Sequence, residues 1–143
     1  MNKTNLNGEG GFTLVEVLIA LVIFAVGVLG VAMMQLTAIN GNSVANRVTQ
    51  ASVIASDQIE DMLSWNYGDQ RLRESTNNTY TLKNGEKRTA DGHRIADGGN
   101  YELVWDVREN TPEIRSKTID ITVIWQHKGR LKTLTLPMIK IDR

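Results

Sequence analysis

One apolar run constrains this chain more than any other feature: FTLVEVLIALVIFAVGVLGVAMM, from Phe12 to Met34, broken by a single charge at Glu16. Roughly 23 residues at 1.5 Å rise make about 35 Å of helix, enough to cross a hydrocarbon core of roughly 30 Å. A secretory signal peptide would carry an apolar stretch of roughly 7–15 residues behind a basic start. Here the run is longer, and the start offers only Lys3 against Glu9. The segment therefore reads as a retained membrane helix.

Glu16 is the only charged residue between Phe12 and Asn46, whereas charges recur every few residues from Arg47 onward. The chain thus divides into a membrane part and a water-facing part, and 143 residues leave room for one modest domain beside the helix. Basic and acidic residues balance at 16 each, which gives no electrostatic footprint for nucleic acid. With no cysteine, disulfides, thiolate metal sites and cysteine nucleophiles are excluded. His93 and His127 are far apart and lack paired spacing, so no metal site is expected. No nucleophile–base pair, phosphate loop or carboxylate pair stands out, so neither an enzyme nor a cofactor is expected.

Residues 1–11 are polar and rich in glycine and asparagine, and read as a leader. Residues 12–34 form the transmembrane and assembly segment, and residues 35–143 the water-facing domain. Beyond Met34, Leu36, Ile39, Val44, Val48, Ala51, Ala55, Ile59, Met62 and Leu63 recur mostly at steps of three and four. That is a helical period with one apolar face, while Asp57, Gln58, Glu60 and Asp61 fill the other. With no proline before Pro112, the pattern predicts a single helix from about 12 to about 65, weakest at Gly41.

After Tyr67 the signals change to strands. Thr79–Lys83 is a short candidate, followed by the turn signal Asn84–Gly85. Residues 86–99 are polar and glycine-rich, and read as a surface loop. In Tyr101–Val107 and Lys117–Gln126 apolar residues alternate with period two, as in half-buried strands. A turn at His127–Arg130 leads into Leu131–Ile141, where Pro137 lacks a ladder N–H and so predicts an edge strand. The apolar stripe of the helix and the apolar face of the strands can cover one another. The expected class is α+β, a long N-terminal helix packed on a small antiparallel sheet.

A carboxylate at the rim of a bilayer costs on the order of 2–3 kcal/mol if unpaired. Glu16 therefore calls for a partner. A free amine at Phe12 would serve, and cleavage after Gly11 would create one, either within one chain or toward a neighbouring subunit.

Residues 11–35 (GFTLVEVLIALVIFAVGVLGVAMMQ) resemble the processing and methylation segment of type IV prepilins and related pseudopilins. They are most similar to minor pilins of the PilV group, the type IV pilus modification proteins. The resemblance rests on Gly11, Phe12, Glu16 as the fifth residue from Phe12, and the apolar helix. It implies a pilin-like fold. It also implies cleavage between Gly11 and Phe12 by a prepilin peptidase and N-methylation of Phe12. Phe12 and Glu16 would be the assembly residues, pairing across subunits. The implied partners are that peptidase, other major and minor pilins, the inner-membrane assembly machinery and the membrane itself. The N terminus would be cytoplasmic and the domain periplasmic, until the protomer enters a pilus or pseudopilus. A minor pseudopilin of a type II secretion system is the alternative in the same family, and a membrane-tethered periplasmic binding module the alternative outside it. The chain lacks the helix-bending proline frequent in major pilins and the C-terminal disulfide of many major and minor pilins, and the resemblance with these departures favours a minor subunit over a bulk fibre subunit.

Overall fold

The computed structural model describes residues 11–75 and 78–142. A single helix, α1 (Leu14–Ser64), is followed by a 3-10 turn at Gln70–Leu72. Then come six strands: β1 (Thr79–Thr81), β2 (Lys87–Thr89), β3 (Gly92–Ala96), β4 (Tyr101–Glu109), β5 (Ser116–His127) and β6 (Arg130–Ile141). The class is α+β, as expected. The helix runs unbroken through Gly41, with nothing there for it to bend around.

The chain falls into two compact units, one ending at Asn42 and one beginning at Ser43. In the first, the apolar side chains of α1 make no core. Phe12, Leu21 and Phe24 are all exposed, as is every residue of the most apolar window. That stretch is long and apolar enough to cross a membrane.

The second unit holds the core. Strands β3-β4-β5-β6 form an antiparallel meander in that order, and β1 pairs with β2 in a separate hairpin. Tyr101, Leu103, Trp105 and Val107 of β4 share one face with Ile119, Ile121, Val123 and Trp125 of β5. Ala51, Ala55 and Met62 of α1 pack there too. Pro137 lies on β6, the edge strand that its missing N–H predicts.

Three features depart from the sequence pattern. Residues 86–99 are not a loop: Lys87–Thr89 pairs with β1, and Gly92–Ala96 pairs with β4. These segments are edge or hairpin strands, which bury little and so carry little alternation. Val104 and Ile124, which the alternation turns outward, are buried in a second cluster with Leu82 and Ala90. The β1–β2 hairpin covers that second face. Gln58 belongs to the buried stripe, its Oε1 accepting from Arg94 Nη1 at 2.9 Å, while Val44, Val48 and Leu63 stay exposed.

Candidate functional site

The start of α1 is a capping box. Thr13 stands at the N-cap, and Glu16 is the third residue of the helix that follows. The Thr13 backbone N–H donates to Glu16 Oε2 at 2.9 Å, and the Thr13 hydroxyl donates to the same oxygen at 3.0 Å. The Glu16 N–H donates in return to Thr13 Oγ1 at 3.2 Å. This reciprocal pattern satisfies N–H groups that a helix start otherwise leaves open. A carboxylate in the first turn also lies at the positive end of the helix dipole.

The geometry bears on the carboxylate in two ways. Glu16 already has a partner, and that partner is Thr13 rather than an amine. The T-x-x-E spacing at residues 13–16 is the signal in the sequence that points to it. In addition, Oε2 takes both bonds, so Oε1 has no partner among the described residues. One oxygen remains for a further donor.

Phe12 precedes the helix and is 88 % exposed. Gly11 lies in open space: a Cβ built there meets nothing within 4 Å, and its φ is not left-handed. The fold itself therefore makes no demand for glycine at 11. Phe12, Glu16, Ala20 and Phe24 share one groove along the helix. Residues 1–10, which contain the rest of the leader, lie outside the described residues.

In the second unit His93 is on β3, not on a loop. Its ring stacks on Tyr80 at 5.1 Å, and its Nε2 sits 3.3 Å from Glu102 Oε2. Among the described residues no three His, Asp or Glu side chains are placed to hold a metal ion.

No curated protein and no solved structure matches the chain. Residues 6–32 match a family described as the prokaryotic N-terminal methylation motif, which takes in Gly11, Phe12, Thr13, Glu16 and most of the apolar run. The motif and the bare apolar helix it heads support a type IV pilin or pseudopilin precursor with a membrane anchor.

Proposed function

We propose that this chain is a minor pilin of a type IV pilus, similar to the PilV group, that joins or primes the growing filament. The observation that carries the reading is the conjunction at the head of α1. A glycine the fold does not require precedes an exposed phenylalanine, and then a capped carboxylate with one free oxygen opens an unburied apolar helix. A prepilin peptidase would cut between Gly11 and Phe12 and methylate the new Phe12 amine. Thr13 would keep Glu16 Oε2, and Oε1 would accept from the Phe12 amine of a neighbouring subunit, setting the axial stagger between helices. Before assembly, residues 12–34 would hold the protomer in the inner membrane, leader in the cytoplasm and domain in the periplasm. Other pilin helices would then replace lipid around the same apolar surface.

Mass spectrometry of the mature N terminus tests this directly. The expected species begins at an N-methylated Phe12, while an intact Met1 or a cut elsewhere overturns the reading. Glu16→Ala is expected to leave cleavage intact and to lower incorporation into filaments at least tenfold. A minor pseudopilin of a type II secretion system would share the cut, so the filament that loses the variant, pilus or pseudopilus, separates the two.

A further inference from the structure

Among the described residues of the second unit, β6 is the longest free sheet edge. It runs from Arg130 to Ile141 and pairs on one side only, with β5. Every second residue of such a strand turns its N–H and C=O away from the sheet. Three observations agree on which residues do so here. Lys128 and Gly129, with φ of 50° and 76°, form a two-residue turn, and the pair that closes such a turn, His127 and Arg130, is a hydrogen-bonded one. Pro137 stands in an unbroken ladder opposite Asp120, so its nitrogen, which carries no hydrogen, faces outward. The Thr122 and Thr135 hydroxyls lie 2.9 Å apart, the close approach of a pair without backbone bonds between its members. Each observation turns the even-numbered residues inward to β5 and the odd-numbered residues out to the free edge.

The edge is therefore unequal along its length. Leu131, Thr133 and Thr135 each present an N–H and a C=O, whereas Pro137 presents only a C=O and ends the row of donors. Side chains follow the same alternation. Leu131, Thr133 and Thr135 stand exposed on the face opposite the core, and Arg130 and Lys132 on the other face, beyond Leu134 where the core ends. Both cations are exposed, and neither meets a carboxylate among the described residues. No carboxylate occurs in the sequence between Asp120 and Asp142.

Proline and basic residues on an edge keep sheets from pairing with copies of themselves. Pro137 does this for the half of β6 that carries the exposed Ile139 and Ile141. Between Arg130 and Thr135 the row of outward donors has no gap, and only charge stands in the way of pairing. Two copies joined along this stretch would crowd Arg130 and Lys132 of one against those of the other, and like charges on neighbouring strands repel. A strand with carboxylates at the matching positions would meet attraction instead. The same charges thus reject a second copy and select an acidic strand.

We propose that residues 131–135 of β6 are a strand-addition site for an extended acidic segment of a partner protein, with carboxylates at alternate positions and β-branched residues between them. The carboxylates would face Arg130 and Lys132, and the β-branched residues would lie beside Leu131, Thr133 and Thr135. The backbone of the added strand would take up the outward N–H and C=O groups. At about 3.4 Å per residue, residues 130–136 span about 20 Å, room for a partner segment of about six residues. The inference concerns the second unit alone. It depends neither on cleavage at Gly11 nor on the membrane anchor.

Amide hydrogen exchange of the full chain in detergent micelles, read by NMR, tests geometry and partner together. Without a ligand, the N–H groups of Leu131, Thr133 and Thr135 should exchange fast, and those of Lys132, Leu134 and Leu136 slowly. The probe is a short capped peptide alternating glutamate with valine. It should slow exchange at Leu131, Thr133 and Thr135, leave Ile139 and Ile141 fast, and bind less tightly as salt is added. A peptide with lysine in place of glutamate should bind about tenfold more weakly, and the glutamate peptide should lose about fivefold on Arg130→Gln/Lys132→Gln. Thr133→Pro removes one outward donor as Pro137 does, and should abolish the protection at Leu131 and Thr135. If that variant loses its slow inward amides and so has not folded, the double glutamine variant, changed only at exposed positions, still decides. Equal binding of the two peptides overturns the proposal, as does undiminished protection in a folded Thr133→Pro. So does protection of Leu131, Thr133 and Thr135 that rises with protein concentration in the absence of peptide, which would assign the edge to a second copy. The mass of the mature N terminus reports the pilin reading separately.

Discussion

Two lysines occupy positions where the alternation of β5 and β6 calls for apolar side chains. Lys117 and Lys140 are directly opposite in register and only 4 % and 8 % exposed. Like charges facing one another on a sheet repel, so each needs acceptors of its own. Lys140 Nζ donates to the carbonyls of Met62, Leu63 and Trp65 at 2.8, 2.9 and 2.6 Å. It thereby satisfies the end of a helix whose last turn has no basic residue. Lys117 Nζ donates to the Leu72 carbonyl at 2.6 Å and to Glu109 at 3.0 Å. Burial lowers the Lys140 ammonium below the usual lysine value, with nearby Asp69 acting against that. Asp69 is itself held at about 2 by the side chain and backbone N–H of Arg71. Lys140→Met should lower unfolding stability by roughly 2–3 kcal/mol, because the carbonyls of Met62, Leu63 and Trp65 lose a charged donor. Urea unfolding followed by tryptophan fluorescence reads this, and an unchanged midpoint would show that water serves those carbonyls as well. The alternation puts both lysines on the core-facing side, but which carbonyls receive them is set by residues 45 and more positions away.

Among the elements, β3 shows best why polar residues hide structure. Gly92 pairs with Trp105, and a Cβ at Gly92 would lie 2.0 Å from the indole Cε2. The ring is pinned there by Nε1 donating to the Arg71 carbonyl at 3.1 Å. Asp91, just before, accepts from the N–H groups of Ser75 and Val107, tying the loop after α1 to β4. An Asp-Gly pair read alone is a turn signal, and here it is the foot of a strand beneath a tryptophan. Gly92→Ala should cost roughly 3 kcal/mol, since the indole must move and release its hydrogen bond. A shifted tryptophan emission together with a lower thermal midpoint would be the signature, and wild-type values for both would contradict this packing. The head of α1 is the opposite case. Its T-x-x-E spacing is local, so the cap can be found without any tertiary neighbour.

At the scale of the whole molecule, every buried apolar side chain among the described residues belongs to the unit beginning at Ser43. The apolar half of α1 contributes no internal burial and is left for lipid or for other helices. A chain starting at Ser43 should accordingly stay soluble and unfold in one cooperative step, within a few degrees of the full chain in detergent. Calorimetry of the two forms checks this, and aggregation or a broad non-cooperative melt of the short form would show that residues 12–42 support the domain.

The sequence by itself determined the membrane-length helix, its capped carboxylate, the three long strands and the edge position of β6. Each of these is written in a period, a spacing or a missing N–H that acts within a few residues. The tertiary structure alone decided that a hairpin covers Val104 and Ile124, that Gln58 turns inward to Arg94, and that Lys140 closes the helix. It also decided that Arg47 and Lys83 meet at a cleft beside the β5–β6 turn. Those outcomes depend on partners tens of residues away, whose approach is set by how helix, sheet and hairpin bury one another.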